Sequence, residues 1–311
     1  MKVLVFGSLN IDYVYKVDHF VLPGETISSR SLKLFCGGKG LNQSIALAKS
    51  GADTFHAGAV GLCDSDMLLQ GLKEAHVNTD LIVKKDTPSG HAVIQTTPRG
   101  ENSIILFRGA NGMVTGEDVD KALAYFERGD ILLLQNEISQ LPYLMEQARS
   151  KGMKIVLNPS PADEEIFRLP LAFADYLILN EVEGEAIAGA FCGEDRTERQ
   201  DGGMGENEMI SILMKIFPDT RIVLTLGEKG AVYGYRDRIC RQPVFPVDVK
   251  DTTAAGDTFT GYFVGSVIKG KSVEEALRFA SMAAAIAVGR EGAGSSIPTL
   301  EEVEAYERQR K

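Results

Sequence analysis

Short apolar runs that alternate with stretches of helical period constrain this chain more than any other feature. The runs are KVLVFG (2–7), DTFHAGAVG (53–61), DILLLQ (130–135), MKIVLN (153–158), ADYLILN (174–180) and TRIVLTLG (220–227). Between and around them lie LNQSIALAKSG (41–51), SDMLLQGLKEAHV (65–77), EDVDKALAYFERG (117–129), QLPYLMEQARSKG (140–152) and ENEMISILMKIF (206–217), each with apolar residues spaced for one face of a helix. A strand apolar on both faces is covered on both, and a helix between successive strands forces them parallel. The pattern predicts an α/β fold, a doubly wound, mainly parallel sheet. At 311 residues the chain fits one such domain, 1–311, carrying a small accessory element, better than two domains.

Two regions break the rhythm. Residues 11–35 and 88–108 alternate apolar and polar positions around turn residues, as antiparallel strands exposed on one face do. They predict a small sheet standing off the main one, a lid or a dimer contact. The stretch CGEDRTERQDGGMGEN (192–207) is polar and rich in glycine and charge, and reads as a surface insertion.

Composition removes several functions. With 33 basic and 43 acidic residues the net charge is −10, and no Lys/Arg run exceeds two, so the clustered basic footprint of a nucleic-acid binder is missing. No apolar stretch approaches the roughly 20 residues that span a bilayer, and the apolar start is too short for a secretory signal, so a cytoplasmic protein is expected. Cys36, Cys63, Cys192 and Cys240 lie far apart, and His19, His56, His76 and His91 fall at no ligand spacing, which excludes a disulfide framework and a zinc site as readings.

In open α/β sheets ligands sit beyond the carboxyl ends of the strands. Polar residues follow the predicted strands at Ser8, Asn10 and Asp12, at Asn136 and Glu137, at Asn158, at Asn180 and Glu183, and at Thr225. Each alone reads as a loop cap, but acids and amides gathered at one rim suit a polyhydroxylated ligand. FCGGKGLN (35–42) is neither a P-loop, since Gly40 follows Lys39 where a hydroxyl belongs, nor a dinucleotide fingerprint, since Gln43 replaces the third glycine. Its glycines still admit close backbone approach, with Lys39 and Asn42 able to reach hydroxyls or phosphate. DTTAAGDTFTG (251–261) places small residues before the helical run GYFVGSVIKG, so Ala254, Ala255 and Gly256 leave backbone N–H groups bare at the positive end of a helix, an anion hole. Asp257 at its centre suits a base that takes a proton from a hydroxyl attacking the bound phosphate; an Asp cap is the plain alternative.

GGKGLNQS (37–44) and DTTAAGDTFTG resemble the two hallmark motifs of the ribokinase family, the phosphofructokinase-B-type carbohydrate kinases. GSLNID, PGET, LNPSPA, NEVEGE, TLGEKG, RFASMAAAIAV and GAGSSIP follow in the family's order, so the resemblance covers essentially the whole chain. It implies ATP-dependent phosphorylation of a sugar primary hydroxyl, with D-ribose the first expectation. By position, it assigns Asn10, Asp12, Gly38, Lys39, Asn42 and Glu137 to the sugar, Asp257 to the general base, and Ala254, Ala255 and Gly256 to the anion hole. It further assigns Asn180 and Glu183 to Mg-ATP through water. Thr225, Leu226, Gly227, Glu228, Lys229 and Gly230, with Gly256 and Ser281, go to the nucleotide; Asp251, Thr253, Ala287, Arg290, Gly292 and Ser296 go to a monovalent cation, normally potassium. Segments 11–35 and 88–108 become a lid that also joins a homodimer. Tyr262, where the family usually has a small residue, and Ser281, where a polar ring or amide is frequent, depart from the pattern. Kinases of deoxyribose, fructose, ketodeoxygluconate or nucleosides share the motifs. A nicotinamide oxidoreductase and a catalytically inactive sugar-binding relative stand as the other classes.

Overall fold

The computed structural model describes residues 1–192 and 204–310. The chain runs through β1 (Val3–Phe6), β2 (Asn10–Lys16), β3 (Ser31–Gly37), α1 (Lys39–Lys49), β4 (Thr54–Gly61), α2 (Asp66–Glu74), β5 (Asn78–Lys85), β6 (Gly90–Thr96), β7 (Asn102–Phe107), α3 (Gly116–Leu123), β8 (Ile131–Gln135), α4 (Leu141–Lys151), β9 (Lys154–Asn158), β10 (Tyr176–Asn180), α5 (Glu181–Cys192), α6 (Glu206–Ile216), β11 (Arg221–Thr225), β12 (Ala231–Tyr235), β13 (Arg238–Gln242), α7 (Ala255–Ile268), α8 (Val273–Val288) and α9 (Leu300–Arg308).

Nine of these strands form one sheet in the order β13-β12-β11-β10-β9-β8-β1-β4-β5, parallel from β11 to β5. The six apolar runs are all in it. The alternation of strand side chains splits the core into two layers. Leu4, Phe6, Leu132 and Leu134 pack against α3 to α6 through Val119, Leu144, Ile187 and Ile210. Val3, Val5, Ile131 and Leu133 point the other way, to Leu41, Leu68, Phe263 and Ala280 of α1, α2, α7 and α8. No helix among the described residues is long and apolar enough to cross a membrane.

The second sheet has the order β3-β2-β6-β7 and comprises the two alternating regions. Its outer pairs are antiparallel as expected, but the two hairpins join through β2 and β6 in parallel, from Asn10 opposite Gly90 to Lys16 opposite Thr96. Both strands leave the main sheet from the same rim, so they run the same way. β5 and the antiparallel pair β12 and β13 were not among the expected strands: NTDLIVKK and RICRQ carry too many polar residues to read as apolar runs. The predicted helix over 117–129 closes at Leu123. Of the 192–207 insertion, residues 193–203 lie outside the described residues, and 206–207 open α6.

Candidate active site

β1 has β4 on one side and β8 on the other, which makes the gap between β1 and β8 the point where the winding reverses. The helix that follows the lid hairpin after β1, α1, lies on one face of the sheet and α4, after β8, on the other. The crevice that opens between the strand ends is closed by a direct bond: the Ser8 hydroxyl, just past β1, donates to Glu137 Oε2, just past β8. The same oxygen accepts the Lys39 backbone N–H at 3.1 Å, so three segments meet on one carboxylate. β1 and α1 come so close here that a β-carbon on Gly40 would lie 2.4 Å from Ser8 N and 2.5 Å from Gly7 C.

Asn10 and Asp12 leave the sheet on β2. Asn10 is buried, and its Oδ1 accepts from Asn111 Nδ2 at 2.8 Å, while Asn111 Oδ1 takes the Leu9 N–H at 3.0 Å. Asn111 thus fixes which way the Asn10 amide faces, a role the sequence reading missed because Asn111 follows the lid strands and belongs to no rim. Asp12 is pushed up to about 7, first by burial and then by Glu137, with Lys39 opposing. Lys39 itself loses charge stability to burial, but Asp257, Glu137, Glu183 and Asp12 outweigh that and hold it above its ordinary value. One lysine therefore balances the acids of both halves of the crevice.

α1 and α7 both begin without a side-chain cap of their own, at Gly38 with φ 90° and at Ala254 with φ 59°. The Lys39, Gly40 and Leu41 N–H groups are taken by Glu137 Oε2, the Ser8 hydroxyl and the Ser8 carbonyl, and the Ala255 N–H by the Thr252 carbonyl at 3.2 Å, which removes Ala255 from the bare groups expected at the start of α7. α7 starts at Ala255, several residues before the predicted helical run, and this corrects the picture of a motif lying ahead of its helix. Asp257 is in the first turn, not at the cap position. The left-handed Ala254 turns the chain, and its carbonyl accepts both the N–H and the hydroxyl of Thr258 at 2.8 Å. A β-carbon on Gly256 would meet nothing within 4 Å, so its backbone faces open space.

Asp257 is held from α1. Oδ2 accepts from Asn42 Nδ2 at 3.0 Å and Oδ1 from Gln43 Nε2 at 2.9 Å. Asn42 Oδ1 is buried with no partner among the described residues. Gln43, fully buried, was not among the predicted site residues, although it stands in the quoted motif GGKGLNQS.

A polar cleft opens from this pair, lined by Lys39, Asn158, Asn180, Glu183, Thr225, Thr252 and residues 254–257. Asn180 and Glu183 form a closed ring: the Asn180 N–H and Nδ2 donate to the two carboxylate oxygens, and the Glu183 N–H donates to Asn180 Oδ1, all at 2.9 Å. Each carboxylate oxygen keeps a lone pair for water or metal. The turn after β11 has Gly227 at φ 51° and Gly230 at φ 96°, with Leu226 buried and Glu228 and Lys229 on its exposed side; Lys229 reaches Glu181 at 3.3 Å. Ser281 is buried in α8 and does not line the cleft.

Behind α7, the loop before Ala254 is tied to the loop after α8. The Lys250 and Asp251 N–H groups donate to the Val288 carbonyl, and Asp251 accepts from Gly292 N at 3.0 Å and Thr253 N at 2.9 Å. Burial raises Asp251, but bonds from Thr253 and Gly292 outweigh it and keep it below the usual carboxylate range. The Arg290 N–H donates to the Ala287 carbonyl, the Arg290 guanidinium turns to Glu302 at 2.6 Å, and the Ser296 hydroxyl donates to the Ala293 carbonyl at 2.7 Å. Tyr262, fully buried, donates its hydroxyl to the Pro298 carbonyl at 2.8 Å, so this large residue packs under the same loop rather than facing the cleft.

Residues 1–300 match the pfkB family carbohydrate kinases. A ribokinase from Haemophilus influenzae is 34% identical over 306 residues, 96% of this chain and 95% of its own. The crystal structure of ribokinase from Thermotoga maritima superposes with a TM-score of 0.86 at 36% identity, covering 99% of both chains. The structure of Arabidopsis thaliana ribokinase complexed with ribose and ATP superposes with a TM-score of 0.83 at 28% identity over 98% of this chain and 97% of that one.

Proposed function

The chain belongs to the pfkB family of carbohydrate kinases, and from that premise we propose that it transfers the γ-phosphoryl group of ATP to the primary hydroxyl of D-ribose, giving ribose 5-phosphate and ADP. The observation that carries this reading is Asp257: a carboxylate in the first turn of α7, beside bare helix N–H groups, held by two amides from a second helix. Relatives named ribokinase, one of them complexed with ribose and ATP, support ribose as acceptor. The oxidoreductase reading has no support left once the family is established.

In the proposed reaction the sugar lies between Asn10, Asp12, Gly38, Lys39, Asn42 and Glu137. Its hydroxyls donate to the Asp12 and Glu137 carboxylates and to the unpartnered Asn42 Oδ1. Asp257 takes the proton of the primary hydroxyl as its oxygen bonds to the γ-phosphorus and the bond to the ADP oxygen breaks. The N–H groups at the start of α7, foremost that of Gly256 since the Ala255 N–H is held by the Thr252 carbonyl, receive the charge that spreads onto the phosphoryl oxygens. The nucleotide lies along Thr225 to Gly230, with Ser281 in the helix behind. Asn180 and Glu183 would hold magnesium through water, and the magnesium would neutralise the phosphates. Asp251, Thr253, Gly292 and Ser296 and the carbonyls of Ala287 and Arg290 suit a potassium ion, which would strengthen the field of the α7 amides from behind. The lid over 11–35 and 88–108 excludes water, and residues 1–311 act as one cytoplasmic unit, paired through the lid.

ADP release measured against a panel of sugars and nucleosides, with and without potassium, tests this. Ribose gives the highest turnover, potassium raises it, and Asp257→Asn lowers kcat by about 100-fold or more with little change in ribose affinity. Turnover confined to another acceptor overturns ribose; near-normal turnover of Asp257→Asn overturns the base.

A further inference from the structure

A chain of three amides, Gln43 and Gln135 buried and Asn158 at the wall of the cleft, runs under the crevice, and its polarity is fixed from one end. The Ile178 carbonyl on β10 can only accept, so the amide bonded to it at 2.9 Å must be Asn158 Nδ2. Asn158 Oδ1 then faces Gln43, so the Gln43 atom 2.8 Å away must be a donor, Nε2. That leaves Gln43 Oε1 for Gln135 Nε2 at 2.7 Å. The same Gln43 Nε2 lies 2.9 Å from Asp257 Oδ1. A flipped Gln43 would oppose its oxygen to two acceptors and its nitrogen to a donor. One main-chain carbonyl thus sets, through Asn158, the direction in which Gln43 presents its two N–H groups. Gln43 and Gln135 are fully buried, so water offers no alternative partner.

We propose that Gln43 is the positioning residue of the catalytic carboxylate: with its amide locked by Asn158 and Gln135, it holds Asp257 Oδ1 and leaves the other face of that carboxylate for the incoming sugar hydroxyl. The proposal rests on Asp257 being the base. Asn42 bonds the other oxygen but leaves its own acceptor unpartnered, whereas both amide atoms of Gln43 are bonded within the protein. Two strand ends, those of β8 at Gln135 and β9 at Asn158, converge on this one amide, and the middle of β10 at Ile178 orients the second of them. The rotamer of Asp257 is thereby referred to the sheet rather than to its own helix alone.

Two near-isosteric variants separate this role from mere packing. Gln43→Met keeps volume and removes both donors; Gln43→Glu keeps the shape and opposes a carboxylate to Asp257. The charged groups facing Asp257 are Lys39 from α1 and, across the cleft, Glu183 from α5, with Asp12 and Glu137 on the sugar side of Lys39; all remain in both variants. Expected are a kcat lowered about tenfold or more near pH 7, a ribose KM within about threefold of wild type, and an acid limb of the kcat profile displaced to higher pH, further in Gln43→Glu than in Gln43→Met. Equal loss at every pH, or a loss confined to KM, overturns the proposal. In the wild-type protein the Gln43 side-chain amide resonances move with the same midpoint as that acid limb; resonances that do not move overturn it without any substitution. Asp257→Asn is assayed alongside. If it turns over normally, the base assignment has failed and the proposal falls with it; if it is inactive while the Gln43 variants keep their kcat, the base stands and the positioning role alone is overturned.

Discussion

At the scale of single residues, the crevice holds its acids at a cost to the fold, and Asp12 shows the sign. Its carboxyl rises from 3.8 to about 7 through burial and then Glu137. The folded chain therefore keeps a proton that the unfolded chain has released, and the stability this group contributes is present below about pH 4 and lost as the pH rises through about 7. Asp12→Asn removes that loss. In thermal melts without ligand, the variant is expected to unfold a few degrees above wild type at pH 8, with the gap narrowing toward pH 5, and to bind ribose more weakly at both. A variant that melts below wild type at pH 8 contradicts this account. Residues fixed by one side-chain amide, such as Asn111 and Gln43, were the hardest to find in the sequence. Their partners are about 100 residues or more away in the chain, and a polar residue in an apolar run has no distinguishing spacing.

At the scale of elements, the site is an agreement between two helix starts. α1 brings Lys39, Asn42 and Gln43, and α7 brings Asp257, and the two helices touch where Gly261 faces Ala46 and Leu47. A β-carbon on Gly261 would sit 2.4 Å from Ala46 Cβ and 2.8 Å from Leu47 N, and the second of these is backbone that cannot rotate away. Gly261→Ala is expected to cost about 1–3 kcal/mol of stability and to lower kcat more than it raises ribose KM, read from melts and steady-state rates together. Unchanged rates in a destabilised variant would mean the helices tolerate the shift without moving Asp257. The start of α7 was misread from sequence because its cap is Ala254 in a left-handed turn, not a Ser, Thr or Asp. The starts of α3, α8 and α9, with capping boxes at Thr115/Asp118, Ser272/Glu275 and Thr299/Glu302, follow the usual rule.

At the scale of the whole molecule, the lid sheet leaves Leu32, Leu34 and all of Ile104 to Phe107 exposed, with Ile105 at 66%. These side chains lie on the two edge strands of the lid sheet, β3 and β7, and exposed apolar edges of this kind suit pairing with another sheet. Sedimentation at micromolar concentration is expected to give twice the chain mass for wild type and the chain mass for Ile105→Glu; a wild-type monomer removes the pairing. The sequence by itself determined the layered α/β sheet, because each covered strand must be apolar on both faces, and it determined the rim on which the polar residues gather. It also determined which short stretches bare their backbone, since only small residues do that. Tertiary structure alone decided the parallel join between β2 and β6, the antiparallel edge of β12 and β13, and the direction of every amide around Asp257. Those depend on which groups meet across the fold, and a hydrogen bond between Gln43 and Gln135 exists only once the sheet has brought β8 under α1.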